Sequence, residues 1–382
     1  MKYSIVLISD SKSINATLQT HKTLIKNLLK FTKIFFLNID FSKNKIKNVN
    51  KKFNFNKNFK LLDFKNNKEL KKFLDNNNLV VWNNFGFYLK DLFLHLLLKK
   101  TNKKQIVISN LGNIQWSLNV SNENFMTSYS KHLQKKIDKF FMMLLIILGL
   151  INKIDTRFQS GKKKLAHDKN FFVKKYRYVN STFYDEYLIK KNTFKNEYIT
   201  HIDMDLNHAD EVRLRGKLEN FRIKEHYDNL NIHLKYLGKI FKKKIVICIH
   251  PLYDLKKTKS YFPAHSVYKF KTKDFIEKSF IVTFFDSSVI FNAVYLKKNL
   301  IIFRNKSLGK SLYEKSKKYQ KLLNIPFIDI NYKQTKSKKV FLSDFNKSKK
   351  STTKYINDNM LSIGKNRSYK EILNYLNDQS SY

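Results

Sequence analysis

The chain has 382 residues, with 75 Lys plus Arg against 30 Asp plus Glu, a formal net charge of +45. At 42% hydrophobic and 15% aromatic content it is too apolar for a disordered basic tail, and 8 Gly and 3 Pro exclude collagen-like or flexible low-complexity arrays. One cysteine, Cys248, excludes a disulfide framework and a Cys-cluster zinc site, and the length suits two ordinary domains.

In chain order, Tyr3–Ile8 reads as a buried first strand rather than a signal peptide, because its apolar run is short and no small-residue cleavage site follows. Ala16–Phe31 reads as a helix, Lys33–Leu37 as a strand, and Asn38–Asn58, rich in Lys and Asn, as a variable loop. Leu70–Asn76 (helix), Leu79–Trp82 (strand, followed by Asn83-Asn84), Phe87–Leu98 (helix) and Gln105–Ser109 (strand) continue the alternation. Strands alternating with helices predict βαβ units and parallel sheets. The most apolar stretch, Phe140–Ile151, is shorter than the ~20 residues of a spanning helix and is flanked by Lys131, Lys135, Lys136, Lys139 and Lys153. It fits a buried core helix or a segment that dips into a membrane surface. A polar section at Ser160–Asn170 and a connector at Thr182–Asn196 lead to a domain boundary near residue 190, giving domains 1–190 and 191–382.

The second part reads Tyr198–Ile202 (strand), His226–Leu237 (helix with apolar residues at Leu230, Ile232, Leu234 and Leu237), Lys244–Ile249 (strand) and Thr272–Lys278 (helix). Phe280–Phe285 (strand), Val289–Leu296 (helix), Leu300–Phe303 (strand) and a tail helix Tyr369–Asn377 complete it.

Three polar clusters follow strand ends, where open α/β sheets bind ligands. His250-Pro251 follows Lys244–Ile249; the proline restrains the backbone of the histidine, whose imidazole suits a phosphate or ribose. Asp286-Ser287-Ser288 precedes a helix start, where hydroxyls and free backbone N–H groups either hold an anion or simply cap the helix. The run Asp203–Asp210 offers Asp203, Asp205 and Asp210 with His208, which fits a general base, a metal site or a polar capping loop. The basic residues are almost all Lys, spread evenly and mixed with Asn and Ile. That pattern fits codon bias, or attraction to an anionic membrane, better than nucleic-acid reading, which favours Arg.

The segments YITHIDMDLNHAD (198–210), His226-Tyr227, IVICIHP (245–251), TFFDSSVIFNAVY (283–295) and KNLIIF (298–303) resemble bacterial surface-polysaccharide glycosyltransferases of capsule and lipopolysaccharide synthesis with the two-domain GT-B fold. More distantly they resemble bacterial sialyltransferases and polysialyltransferases. The resemblance covers mainly residues 198–303, with a familiar look also at Leu148–Phe158. It implies two Rossmann-like domains facing a cleft, the first on the acceptor side and the second binding a nucleotide-sugar donor. His250, Pro251, Thr272, Ser287 and Ser288 would bind the donor. One of Asp203, Asp205 and Asp210, with His208 alongside, would deprotonate the acceptor. Arg213, Arg215 and Arg304 are further anion contacts without a motif. Where related sequences often have His before the Ser pair, this chain has Asp286.

The expected enzyme therefore needs no metal and no cofactor beyond its nucleotide-sugar substrate. Its acceptor is a surface polysaccharide or lipid-linked glycan, its further partner an anionic membrane surface, and its place the cytoplasm or the inner membrane face. A polyol-phosphate transferase of the teichoic-acid type, a nucleic-acid-binding protein and a non-catalytic scaffold are the alternatives.

Overall fold

A computed structural model of the protein describes residues 3–9, 14–38, 55–64, 66–76, 78–108, 125–162, 171–182, 196–204, 206, 221–249, 253–287, 289–362 and 366–378. The chain divides into two units, Met1–Gly112 with Ser128–Leu188 and Asp358–Tyr382, and Asn113–Thr127 with Ile189–Asn357. The elements run β1 (Ser4–Ser9), α1 (Ile14–Leu28), β2 (Ile34–Asn38), β3 (Phe59–Leu62), α2 (Asn67–Asn76), β4 (Leu79–Asn84), α3 (Leu92–Lys100), β5 (Lys104–Ile108), α4 (Phe125–Ile147), β6 (Ile154–Ser160) and β7 (Val173–Val179). They continue with β8 (Tyr198–Ile202), α5 (Ile223–Phe241), β9 (Lys244–Ile249), α6 (Leu255–Tyr261), β10 (Ser266–Lys269), α7 (Thr272–Lys278), β11 (Ser279–Phe284), α8 (Ile290–Tyr295), β12 (Asn299–Arg304), α9 (Lys310–Leu323), β13 (Phe327–Asp329), α10 (Lys338–Asn359) and α11 (Ser368–Asp378).

The first unit holds a parallel sheet in the order β3-β2-β1-β4-β5-β6-β7. Successive side chains of a strand point to opposite faces, so β1 feeds two cores. Ile5 and Leu7 pack on one side with Leu24, Leu28 and Trp82, while Val6 and Ile8 pack on the other with Leu70, Leu74, Val81 and Leu98. Burial on both faces explains why SIVLIS is a continuous apolar run. Strands β3, β6 and β7 were not predicted; β3 and β7 lie at the sheet's two edges, where FKLL and VKKYRYV carry lysines that blunt pairing with another chain.

The tail helix, expected with the second domain, belongs to the first. Tyr369, Ile372, Leu373 and Leu376 of α11 form an i, i+3, i+4, i+7 stripe buried with Ile5, Leu28 and Phe158. The stripe needs a sheet face to cover, and this sheet supplies it. Phe140–Ile151 is not a buried core helix: Met142 and Ile151 are buried, but Phe140, Phe141, Ile147 and Leu148 are exposed. Among the described residues no helix is long and apolar enough to cross a membrane.

The second unit holds a parallel sheet in the order β10-β9-β8-β11-β12-β13. Its main covering helix, α5, buries Tyr227, Leu230, Leu234, Leu237 and Phe241. Ile232, also apolar, is 63% exposed, because it lies off that stripe. Helices α6, α9 and α10 and strands β10 and β13 were not foreseen. The two sheets share one winding: the chain starts in the middle, builds outward to one side and then returns to build the other.

Candidate active site

In the second sheet that reversal falls between β8 and β11, which pair as neighbours. All strands are parallel, so the ends of β9, β8, β11 and β12 share one rim. The point of reversal is where the connecting loops diverge and leave a crevice.

Asp203 is the first residue beyond β8. Its backbone N–H donates to the Cys248 carbonyl (2.9 Å), extending the β8–β9 ladder by one step. Its side chain is only 2% exposed, with Oδ1 3.7 Å from His201 Nε2 and Oδ2 3.5 Å from the Tyr227 hydroxyl. His201 lies two residues earlier and therefore on the same face of β8. It is fully buried; Nδ1 bonds Thr283 Oγ1 on β11 (3.0 Å), and Nε2 has no hydrogen-bond partner. At 3.7 Å the His201–Asp203 contact is too long for a hydrogen bond. Phe262, Phe285 and Phe303 surround the imidazole.

At the end of β11, Asp286 is half-buried and paired with Lys315 Nζ, and it accepts from the Tyr319 hydroxyl (3.3 Å). Lys315 and Tyr319 sit one turn apart on α9. Burial first, and the adjacent Asp286 carboxylate second, raise the Tyr319 phenol well above its usual range. The carboxylate is thus turned toward α9 and paired there. Ser287 Oγ accepts from Val289 N–H (3.3 Å) and its carbonyl from Ile290 N–H (3.4 Å), so Ser287 opens the turn that leads into α8.

Beyond β12, Asn305 Oδ1 accepts from Ser307 N–H (2.9 Å), Ser307 Oγ (2.6 Å) and Asn331 Nδ2 (3.1 Å). Those donors fix the amide, so Nδ2 donates to His226 Nδ1 (2.9 Å). A neutral His226 therefore carries its proton on Nε2. His226 and Tyr227 belong to the first turn of α5; His226 packs on Phe285, and Tyr227 stacks on Tyr261 (4.3 Å, 7°). Arg304, the last residue of β12, is 6% exposed and lies over Phe327 (4.0 Å), with Nε lacking a hydrogen-bond partner. A shallow pocket lined by Arg304, Asn305, Phe285, Phe303, Tyr313 and Ser316 opens beside it.

Of the residues expected from sequence, the structure places Asp203 and Ser287 after adjacent strands on this rim. Thr272 opens α7, beyond the edge strand β10. Its hydroxyl bonds the Cys248 thiol, which burial pushes up to about 12 while the threonine works the other way. Asp205, His208, Asp210, His250, Pro251 and Ser288 lie outside the described residues, as do Arg213 and Arg215. Sequence reasoning missed His201, Lys315, Tyr319 and Asn305. The i, i+2 spacing of His201 and Asp203 was the available signal for one of them. Among the described residues no group of three or more His, Cys, Asp or Glu side chains is placed to hold a metal ion.

The first unit has its own reversal between β1 and β4. There Asn84 Nδ2 donates to Ser9 Oγ (3.2 Å), Asn83 Nδ2 to Gln105 Oε1 (3.1 Å), and Phe85 N–H to Asn83 Oδ1 (3.0 Å). These groups are all uncharged.

No protein-family model matches the chain, and no curated protein sequence matches it. Solved structures do match along nearly its whole length. A putative UDP-N-acetylglucosamine 2-epimerase from Listeria monocytogenes has a TM-score of 0.53 at 12% identity, covering 99% of this chain and 97% of that one. UDP-GlcNAc 2-epimerase from Neisseria meningitidis, bound to UDP-GlcNAc, has a TM-score of 0.53 at 12% identity, covering 99% and 100%. The wall teichoic acid polymerase TagF has a TM-score of 0.52 at 13% identity, covering 98% of this chain and 89% of that one. The fold is GT-B. The two parallel sheets with their helices agree with that assignment.

Proposed function

We propose that the protein is a glycosyltransferase that moves a sugar from a nucleotide-sugar donor to a surface polysaccharide or lipid-linked glycan, at the cytoplasmic face of a membrane. The observation that carries this reading is the rim of the second sheet, where Asp203 and Ser287 follow the two strands flanking the point of reversal. The UDP-GlcNAc bound in the Neisseria meningitidis structure of the same fold supports a nucleotide-sugar ligand. The likeness to sialyltransferases rests on sequence motifs alone.

In this reading His250 contacts the donor phosphate or ribose, Pro251 shapes its turn, and Ser287 and Ser288 face the phosphate. Thr272 flanks the rim with its hydroxyl already engaged by Cys248. Asp203 is assigned a positioning role, since its carboxylate is enclosed by His201 and Tyr227. The base is then Asp205 or Asp210, with His208 beside it. It takes the proton from the acceptor hydroxyl, whose oxygen attacks the anomeric carbon as the nucleotide departs. Fixed donors at the rim and nearby lysines stabilise the developing phosphate charge without a resident metal or cofactor.

Two other reactions on a nucleotide-activated substrate have a likeness behind them. The 2-epimerases suggest sugar isomerisation, and TagF suggests a polyol-phosphate donor. A thermal-shift panel of CMP, UDP, GDP and their sugars tests the common premise. Stabilisation by one base, lost in His250→Ala, is the expected result, and no shift with any nucleotide overturns it. Nucleotide release that requires an added glycan acceptor then identifies the transferase. Conversion of the sugar without acceptor or release identifies the epimerase.

A further inference from the structure

Helix α4 is apolar on two faces. One packs inward through Met142, which is fully buried with Ile151, Ile154 and Phe172. The other does not. Leu133, Ile137, Phe140, Leu144 and Ile147 recur at i, i+4, i+7, i+11 and i+14, the spacing of a single helical stripe, and they are 38–67% exposed. The stripe ends in a protruding turn. Leu148 is 68% and Leu150 49% exposed, and the intervening Gly149, at φ +69°, would have nothing within 4 Å of an added Cβ.

The charge around the stripe has one sign. Lys135, Lys136 and Lys139 are exposed on α4 itself, and Lys153 stands 4.0 Å over the Phe171 ring just beyond its end. The single acid of the helix, Asp138, is buried and accepts from Gln134 Nε2 (2.8 Å). An apolar ridge bordered by exposed cations fits a surface that is apolar below and anionic above. It does not fit a second copy of a chain carrying +45, which would bring lysines against lysines.

We propose that α4 docks the protein on an anionic lipid bilayer, with the stripe and the Leu148–Leu150 turn entering the interfacial layer and the lysines meeting lipid headgroups. This docking requires no membrane-spanning segment. The inference stands independently of the transferase reading, because it uses no residue of the rim.

The test is co-sedimentation of the full-length protein with vesicles of phosphatidylcholine alone or mixed with phosphatidylglycerol, at about 0.1 and about 0.5 M salt, on either side of strong screening. Wild type should prefer the anionic vesicles. Each lysine removed from Lys135, Lys136 and Lys139 should weaken that binding about fivefold at the lower salt, the effect of roughly one cation near an anionic surface. The general attraction of so basic a chain is screened at the higher salt. The apolar contribution therefore shows there: wild type stays on anionic vesicles, while Phe140→Ser/Ile147→Ser/Leu148→Ser detaches with an unchanged melting temperature. A Phe140→Trp variant should shift its emission to the blue on anionic vesicles and be quenched by brominated lipid. Binding at the higher salt that survives the triple serine change overturns the proposal, as does an emission of the Phe140→Trp variant that ignores the vesicles. Dimerisation abolished by the serine changes, without vesicle binding, also overturns it and makes the ridge an interface between copies.

Discussion

His95 should make the first unit acid-sensitive. The residue lies on α3, is fully buried, and has Nε2 3.0 Å from the Gly86 carbonyl. A carbonyl only accepts, so the ring proton is on Nε2, and Nδ1 is left without a partner between Phe85 and Phe87. Protonating Nδ1 would place a cation among aromatic rings. Burial accordingly lowers the imidazole from 6.5 to about 4, with the Gly86 carbonyl acting weakly in the opposite direction. The folded state therefore holds fewer protons than the unfolded state between these values, and stability is lost as pH falls below 6.5. From those two values the loss is about 2 kcal/mol by about pH 5 and about 3 kcal/mol by about pH 4. His21, also lowered to about 4 by burial, adds a similar slope. The assay is urea unfolding at about pH 7, 6 and 5, followed by fluorescence of Trp82, which is buried in the same unit, in a Trp116→Phe background. His95→Gln keeps an N–H donor and cannot titrate. It should be less stable than wild type at about pH 7, with the gap narrowing by about 2 kcal/mol at about pH 5. Parallel pH profiles for the two proteins would refute the reasoning.

Asp286→Asn should cost the second unit about 1–3 kcal/mol, since it leaves a half-buried lysine without its counter-charge. Adding Lys315→Met should return part of that loss, and a double-mutant cycle in urea measures the coupling. Gly161→Ala should cost at least about 1–3 kcal/mol, read as a lowered melting temperature. Gly161 has φ +99°, and an added Cβ would lie 3.0 Å from the Asp358 and Asn359 carbonyl oxygens.

What was legible in the sequence followed burial. Strands buried on both faces, such as β1 and β9, announce themselves as unbroken apolar runs. Edge strands such as β7 and β13 do not, since half of their surface faces water and they tolerate lysines or brevity. Apolar content alone does not mark the α5 stripe, since Ile232 lies off it and is exposed. The stripe of α11 was readable, but its destination was not: a local pattern states that a face must be covered, not by which of two sheets. At the candidate site, Asp203 and Ser287 stood out as polar residues closing apolar strands. The partner of Asp286 was hidden because Lys315 comes 29 residues later and only α9 brings it back. His201 was hidden by lying inside a strand, where one polar residue reads as a lapse in the pattern.

The charge of +45 divides in a way the composition could not show. Three of the described acids that the fold draws partly or wholly out of water are answered locally: Asp286 by Lys315 and Tyr319, Asp138 by Gln134, and Asp155 by the Gln105 N–H and Lys174. These contacts use only a few of the lysines, so the excess itself remains general and points at no partner. The lysines of α4 differ in their neighbours, because there exposed cations border apolar side chains that the fold itself leaves uncovered. That adjacency separates a docking surface from a merely solvated basic face, since a solvated face has no reason to keep phenylalanine and isoleucine in water. The general excess should therefore govern how fast and how salt-sensitively the protein approaches any anionic surface, while the α4 stripe should govern whether it stays there.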